Sequence, residues 1–233
     1  MPDVYWPARS YGHTGPLESR LSGTGRVADD LWLLAHHERS GKALLDKRPL
    51  GLGLAAGLLA ELMLTVPAAI GLLPDARVMV LRDAPVNVRE HPLLTRIAGE
   101  PYLLPVRDWL AFLARTAEGD VGTRLEQAGY VASGPRRFPG LPARRVPVDP
   151  DWAFTAVLRV ATAVDLRRPP DPYSDALTGL AYACGLGYRL DRHVPVSASG
   201  AGQVVARLPP PLRALVAHTQ VGVSTAVLSR TCP

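Results

Sequence analysis

The stretch RPLGLGLAAGLLAELMLTVPAAIGLLPD, residues 48–75, decides how the rest of the chain is read. Between Arg48 and Asp75 its only charge is Glu61, and by length it could cross a bilayer. Against a span, a central carboxylate is costly in hydrocarbon, and Gly51, Gly53, Gly57 and Pro67 interrupt the run. The reading is therefore a buried helix over about 50–64, apolar on most sides and central to a helical body, with a shorter element after Pro67. The glycine spacing resembles a dinucleotide loop only superficially. Such a loop follows a strand, whereas here the charged turn Asp46-Lys47-Arg48-Pro49 comes first. Close helix packing is the simpler account of the small residues.

Outward from this helix, the chain divides by its periodicity. Residues 1–22 have no period and read as a flexible arm. Ser22 or Thr24 is expected to cap a first helix through Val27, Leu31, Leu33 and Leu34, with Asp29 and Asp30 in its first turn, where the dipole favours carboxylates. Gly41 closes that unit. After Pro67, the short β-branched run Ala76–Leu81 predicts a strand paired with about 69–72. Helical spacing returns over 92–98, 106–116 and 119–128, the last stopping at Gly129. Tyr130-Val131 and Arg144–Val148 predict a second hairpin. Helices follow at 150–165 and 172–187, then a small-residue loop at 194–203, and a last helix over about 209–229 behind Pro209. About eight helices, two small hairpins and no βαβ alternation predict a mainly α fold: one helical domain over 23–230 with a central bundle and surrounding amphipathic helices.

Composition narrows the classes further. With 233 residues, 47% apolar and 20% charged, the chain can bury a core and is not disordered throughout. The net charge is +5, and Lys42 and Lys47 are the only lysines, the remaining basic residues being Arg. The plain reading of that balance is compositional and the sharper one is affinity for phosphate, in nucleic acid or in anionic lipid headgroups; the partner expected for the chain as a whole is an anionic lipid headgroup or an apolar small molecule, with no nucleic acid. Cys184 sits in an apolar run and reads as core; two cysteines make no disulfide framework, so a reducing cytoplasm is expected, with membrane association open. Met1–Tyr5 lacks the charged-then-apolar pattern of a signal peptide.

Among groups that carry chemistry, His36-His37-Glu38 is the densest cluster. Adjacent side chains on a helix point about 100° apart, so they suit an exposed polar turn better than a metal site, although one histidine could act as a general acid or base. Asp29 and Asp30 are likewise split between faces and read as capping residues. Glu61, inside an apolar helix, needs either an arginine partner or a raised pKa suited to acid–base work. No nucleophile elbow, P-loop or zinc-type cysteine spacing occurs, so neither a cofactor nor a metal is expected.

An ordered set of short blocks adds a family resemblance. Asp29-Asp30-Leu31-Trp32-Leu33-Leu34, Glu38-Arg39-Ser40-Gly41 and Gly57-Leu58-Leu59-Ala60-Glu61-Leu62 are followed by Asp83-Ala84-Pro85, Trp109 and Leu125 to Gly129. Over about residues 24–190 this order resembles the Golgi phosphoprotein 3 family, whose eukaryotic members read phosphatidylinositol 4-phosphate and whose relatives are abundant in actinobacteria. The resemblance implies a four-helix core wrapped by further helices and a hairpin used in self-association. The family's lipid pocket carries over poorly. Its tryptophan before the apolar helix falls at Asp46, its arginine within that helix at Ala55, and two later arginines at Arg115 and Glu118. An Arg-Gly-Arg after the helix is replaced around Thr65-Val66-Pro67. Losing charge-assisted phosphate contacts worth roughly 1.5–3 kcal/mol each removes useful specificity, with Lys47, Arg48 and Arg115 left to compensate in part.

Three functions follow from these residues. The first is a peripheral protein binding an anionic lipid headgroup through Lys47, Arg48 and Arg115. The second is a cytoplasmic enzyme of specialised metabolism holding an apolar small molecule in the altered pocket, with Asp46, Glu61, His36 and His37 supplying cyclase- or isomerase-type acid–base chemistry. The third is a scaffold forming homo-oligomers through the hairpin near 69–82.

Overall fold

The computed structural model describes residues 23–65, 67–82, 91–134, 143–191 and 198–231. The expected N-terminal arm lies outside them. Among the described residues the fold is mainly helical, with ten helices and two small antiparallel strand pairs.

The apolar stretch becomes α2 (Lys47–Met63), preceded by α1 (Val27–Ala35). Apart from Lys47, Arg48 and the partly exposed Leu58, every residue of α2 is buried, and so is all of α1. A helix with three glycines is intrinsically poor, each costing about 1 kcal/mol relative to alanine. Tertiary packing reverses that. A β-carbon at Gly51 would overlap the Ala114 carbonyl, one at Gly53 the Cys184 sulfur, and one at Gly57 would lie 2.8 Å from the Ala28 α-carbon. The small residues thus let three neighbours approach at once, and the expectations of close packing and of a core Cys184 both hold.

After α2 come the hairpin β1 (Ile70–Leu72) and β2 (Val78–Val80), in register Ile70↔Val80 and Leu72↔Val78. Then α3 (Pro92–Gly99), α4 (Val106–Leu113) and α5 (Ala117–Gln127) lead to the second hairpin, β3 (Val131–Ser133) with β4 (Arg145–Pro147). The rest is α6 (Asp151–Val164), α7 (Pro172–Ala183), the single turn α8 (Gly187–Leu190), α9 (Ala198–Arg207) and α10 (Pro210–Thr231). The hub α2 packs against α1, α4, α5, α7 and α10, and α1 adds α6 to the same core.

Three expectations change. Residues 172–187 form not one helix but two, because Gly185 takes φ +89° and turns the chain. The small-residue loop at 194–203 holds the start of α9, whose Ala201 and Val204 are buried; its low apolar content hid a helix stabilised by packing on α7. Thr24 does not cap α1, and Ser22 lies outside the described residues. Arg26 is the N-cap, while the Thr24 amide and hydroxyl both donate to the Asp30 carboxylate, at 3.0 and 2.8 Å. Asp29 and Asp30 are not exposed capping residues; both are buried and ion-paired. No described helix is long and apolar enough to cross a membrane.

Gly57→Ala drives a methyl into backbone rather than into a flexible side chain. It is expected to cost about 1–3 kcal/mol and to lower Tm by roughly 2–4 °C for each kcal/mol, read by thermal unfolding. Gly202→Ala, on α9 with no atom within 4 Å of the added carbon, is the control that leaves Tm unchanged or raised.

Candidate functional site

The two ends of α2 differ in kind. Its last turn carries Glu61 into a buried ion cluster. Arg124 of α5 donates from Nη1 to Glu61 Oε2 at 2.9 Å and from Nη2 to Oε1 at 3.0 Å, while Nε and Nη2 reach Asp29 Oδ1 at 2.8 and 2.5 Å. The Ala28 amide also donates to Glu61 Oε1, at 2.9 Å. Arg26 and His91 lie close enough to feel these charges. Burial pushes the Asp29 carboxyl up to about 7, Glu61 adding to the rise and Arg124 opposing it. Burial also works against the charge of Arg124, yet Glu61 and Asp29 raise its pKa above the ordinary arginine value. The arginine partner expected for Glu61 is thus Arg124, and every polar atom of the carboxylate is engaged.

A second buried acid is held in the same way. Asp30 faces Arg159 at 3.5 Å and accepts from the Tyr173 hydroxyl at 3.3 Å, with the Arg159 guanidinium 4.2 Å from the centre of that ring. Burial raises the Asp30 carboxyl, with Arg159 and Thr24 opposing. These pairs tie α1 to α6 and α7, as Arg124 ties it to α2 and α5.

The other end of α2 is open. Asp46, the N-cap, together with Lys47 and Arg48, is exposed, and Gly51 sets this end against Ala114, next to the exposed Arg115. Among the described residues, none of Lys47, Arg48 and Arg115 has a carboxylate within 4 Å. Glu118, at the start of α5, feels both Lys47 and Arg145. His36 closes α1 nearby but is buried rather than part of an exposed turn. Its ring stacks on Trp32 at 3.7 Å, and Nδ1, 2.8 Å from the Trp32 carbonyl, must be the protonated nitrogen because a carbonyl can only accept. Its Nε2 faces Glu118 at 3.7 Å, a contact that, ahead of burial, holds the Glu118 carboxyl below the usual range. His37 is half-exposed and accepts from the Arg39 amide at 3.2 Å.

The residues expected to supply acid–base chemistry therefore do not converge. Asp46 and Glu61 stand fifteen positions apart on α2, about 22 Å along its axis. His36 approaches the open end and Glu61 is sealed at the other. No group of three or more His, Cys, Asp or Glu among the described residues is arranged to hold a metal. The residues around Glu61 that sequence reasoning did not name are Arg124, Arg26 and His91. A buried acid signals that a cation is needed, but nothing in the chain says which arginine folds onto it.

This is a mainly helical domain with a near-chargeless hub and a basic solvent-facing corner where the hub begins. The chain belongs to the Golgi phosphoprotein 3 (GPP34) family, whose model matches residues 27–219. No curated protein matches the sequence.

Arg124→Leu leaves two buried carboxylates without their cation and is expected to destabilise by about 3–5 kcal/mol. A carboxyl raised in the fold contributes stability below its unfolded pKa and loses it as pH rises. The deficit should therefore shrink between about pH 8 and pH 5 in denaturant titrations. In the parent protein, Asp29 gives stability a downward slope from about pH 4 through 7, which Asp29→Asn should remove.

Proposed function

We propose that the protein is a peripheral lipid-headgroup-binding member of its family, docking through Lys47, Arg48 and Arg115. The observation that carries this reading is the cluster of exposed cations at the open end of α2, none of which has a described carboxylate within 4 Å. Membership of the family and the net charge of +5 lend support. Each cation near an anionic membrane surface contributes about 1 kcal/mol, so three give modest, salt-sensitive binding. Asp46, Ala55 and Glu118 stand where the resemblance places the phosphate clamp. Binding is accordingly set by surface charge more than by headgroup stereochemistry. Self-association through the hairpin at 69–82 is the weaker reading, since Ile70 and Val78 are committed to the core and the Val78 amide donates to the Leu104 carbonyl at 3.0 Å.

Co-sedimentation with phosphatidylcholine vesicles, with and without phosphatidylserine, tests the proposal. The parent protein should sediment with the anionic vesicles and release in high salt. The double variant Arg48→Glu, Arg115→Glu should bind at least about tenfold more weakly at low salt. Equal partitioning onto neutral and anionic vesicles, or an unaffected double variant, overturns the reading.

A further inference from the structure

The connection from α3 to α4 and the end of α4 carry exposed large apolar side chains. Tyr102 is 77% exposed and Leu103 45%, and Phe112 on α4 is 44% exposed. Tyr102 and Leu103 border a groove of about 300 Å³ between β2 and this connection, walled by Val78, Met79, Val80, Ile97 and Trp109, and Phe112 lies beyond it on the far side of Trp109. The backbone under the groove is fixed: the Val78 amide donates to the Leu104 carbonyl at 3.0 Å and the Val106 amide to the Ala76 carbonyl at 2.9 Å. Tyr102 and Leu103 are thus held out by a built scaffold. The Phe112 ring meets Trp109 edge-on at 6.2 Å, and the Arg96 guanidinium lies over it, 5.1 Å from its centre.

The charges around these side chains indicate the partner. Arg96, Arg107 and Arg115 are all exposed, and Arg115 follows Phe112 by three positions in the helical turns closing α4, which sets the two on one side. The acids nearby are Glu100, on the groove, Asp108, 3.6 Å from Arg107, and Glu118, three positions after Arg115. The strip continues into Lys47 and Arg48 through the Gly51–Ala114 contact, with Asp46 beside them, so five cations face four acids. Projecting aromatic and aliphatic groups, a tyrosine with a polar tip and a fringe of arginines match the boundary between headgroups and acyl chains.

We propose that Tyr102, Leu103 and Phe112 form an interfacial wedge that enters the headgroup–acyl boundary of an anionic bilayer, with Arg96, Arg107 and Arg115 contacting the phosphates around it. The cationic half of this inference rests on the headgroup reading above; the apolar half does not.

The test uses vesicles of phosphatidylcholine with about one-third phosphatidylserine, and the full chain carrying an environment-sensitive fluorophore at Leu103→Cys in a Cys232→Ser background, Cys184 being buried. The emission should shift to the blue on adding vesicles, and Tyr102→Ser with Leu103→Ser should weaken sedimentation about tenfold while the unfolding midpoint stays put. Sedimentation of the parent protein with no blue shift and an unaffected double-serine variant overturns the wedge and leaves the headgroup reading standing. A blue shift and serine sensitivity that persist on neutral vesicles, with Arg48→Glu, Arg115→Glu without effect, support the wedge and overturn the headgroup reading. If the serine changes alter gel-filtration elution and not vesicle binding, the face belongs to a protein contact and the wedge is overturned.

Discussion

Arg124 lays its guanidinium between Asp29 and Glu61, and three helices meet at that fork. Two carboxylates taken out of water are tolerable only with a cation of matching geometry, and the planar fork of arginine satisfies both at once. The consequence is positional. Glu61 fixes the end of α2, its bond from the Ala28 amide fixes the start of α1, and α5 is drawn across both. The Asp30–Arg159–Tyr173 group extends the same device to α6 and α7. The hub's single buried charge is therefore part of its anchoring.

The glycines of α2 serve the same end by a different route. Because Gly51, Gly53 and Gly57 face Ala114, Cys184 and Ala28 in turn, the helix accepts three neighbours at close range. Each loses helix propensity and gains van der Waals contact with backbone or sulfur. That closeness sets the Arg115 turn against the N-terminus of α2. The distribution of charge along the hub follows: sealed and paired at the C-terminal end, exposed and basic at the other. Glu61 and Asp46 accordingly stand at opposite ends of the hub, one sealed and the other exposed.

The sequence was informative where the physics is local. Period and apolar length mark nearly every helix, a β-branched run marks the first hairpin, and Glu61 in an apolar helix calls for either a cation or a raised pKa. Failures fall where tertiary contact overrides local pattern. The stretch at 198–203 reads as loop because the burial of Ala201 depends on packing against α7, and the adjacent histidines read as exposed although the Trp32–His36 stack has local i, i+4 spacing, because the burial of His36 is set by the surrounding fold. Asp29 and Asp30 have the composition of helix caps, and only the arrival of Arg124 and Arg159 from 95 and about 130 residues away turns them into buried partners.

What the sequence determined by itself is the class of the fold, the identity of the hub and the demand that its buried acid be either paired or held protonated, since these follow from hydrophobic period and from the cost of an unpaired buried charge. What only the tertiary structure decided is which arginine answers, which end of the hub stays open, and which apolar side chains are left in water around it. Those outcomes depend on contacts between residues far apart in the chain, and no local propensity encodes the distance between two surfaces that meet only after folding.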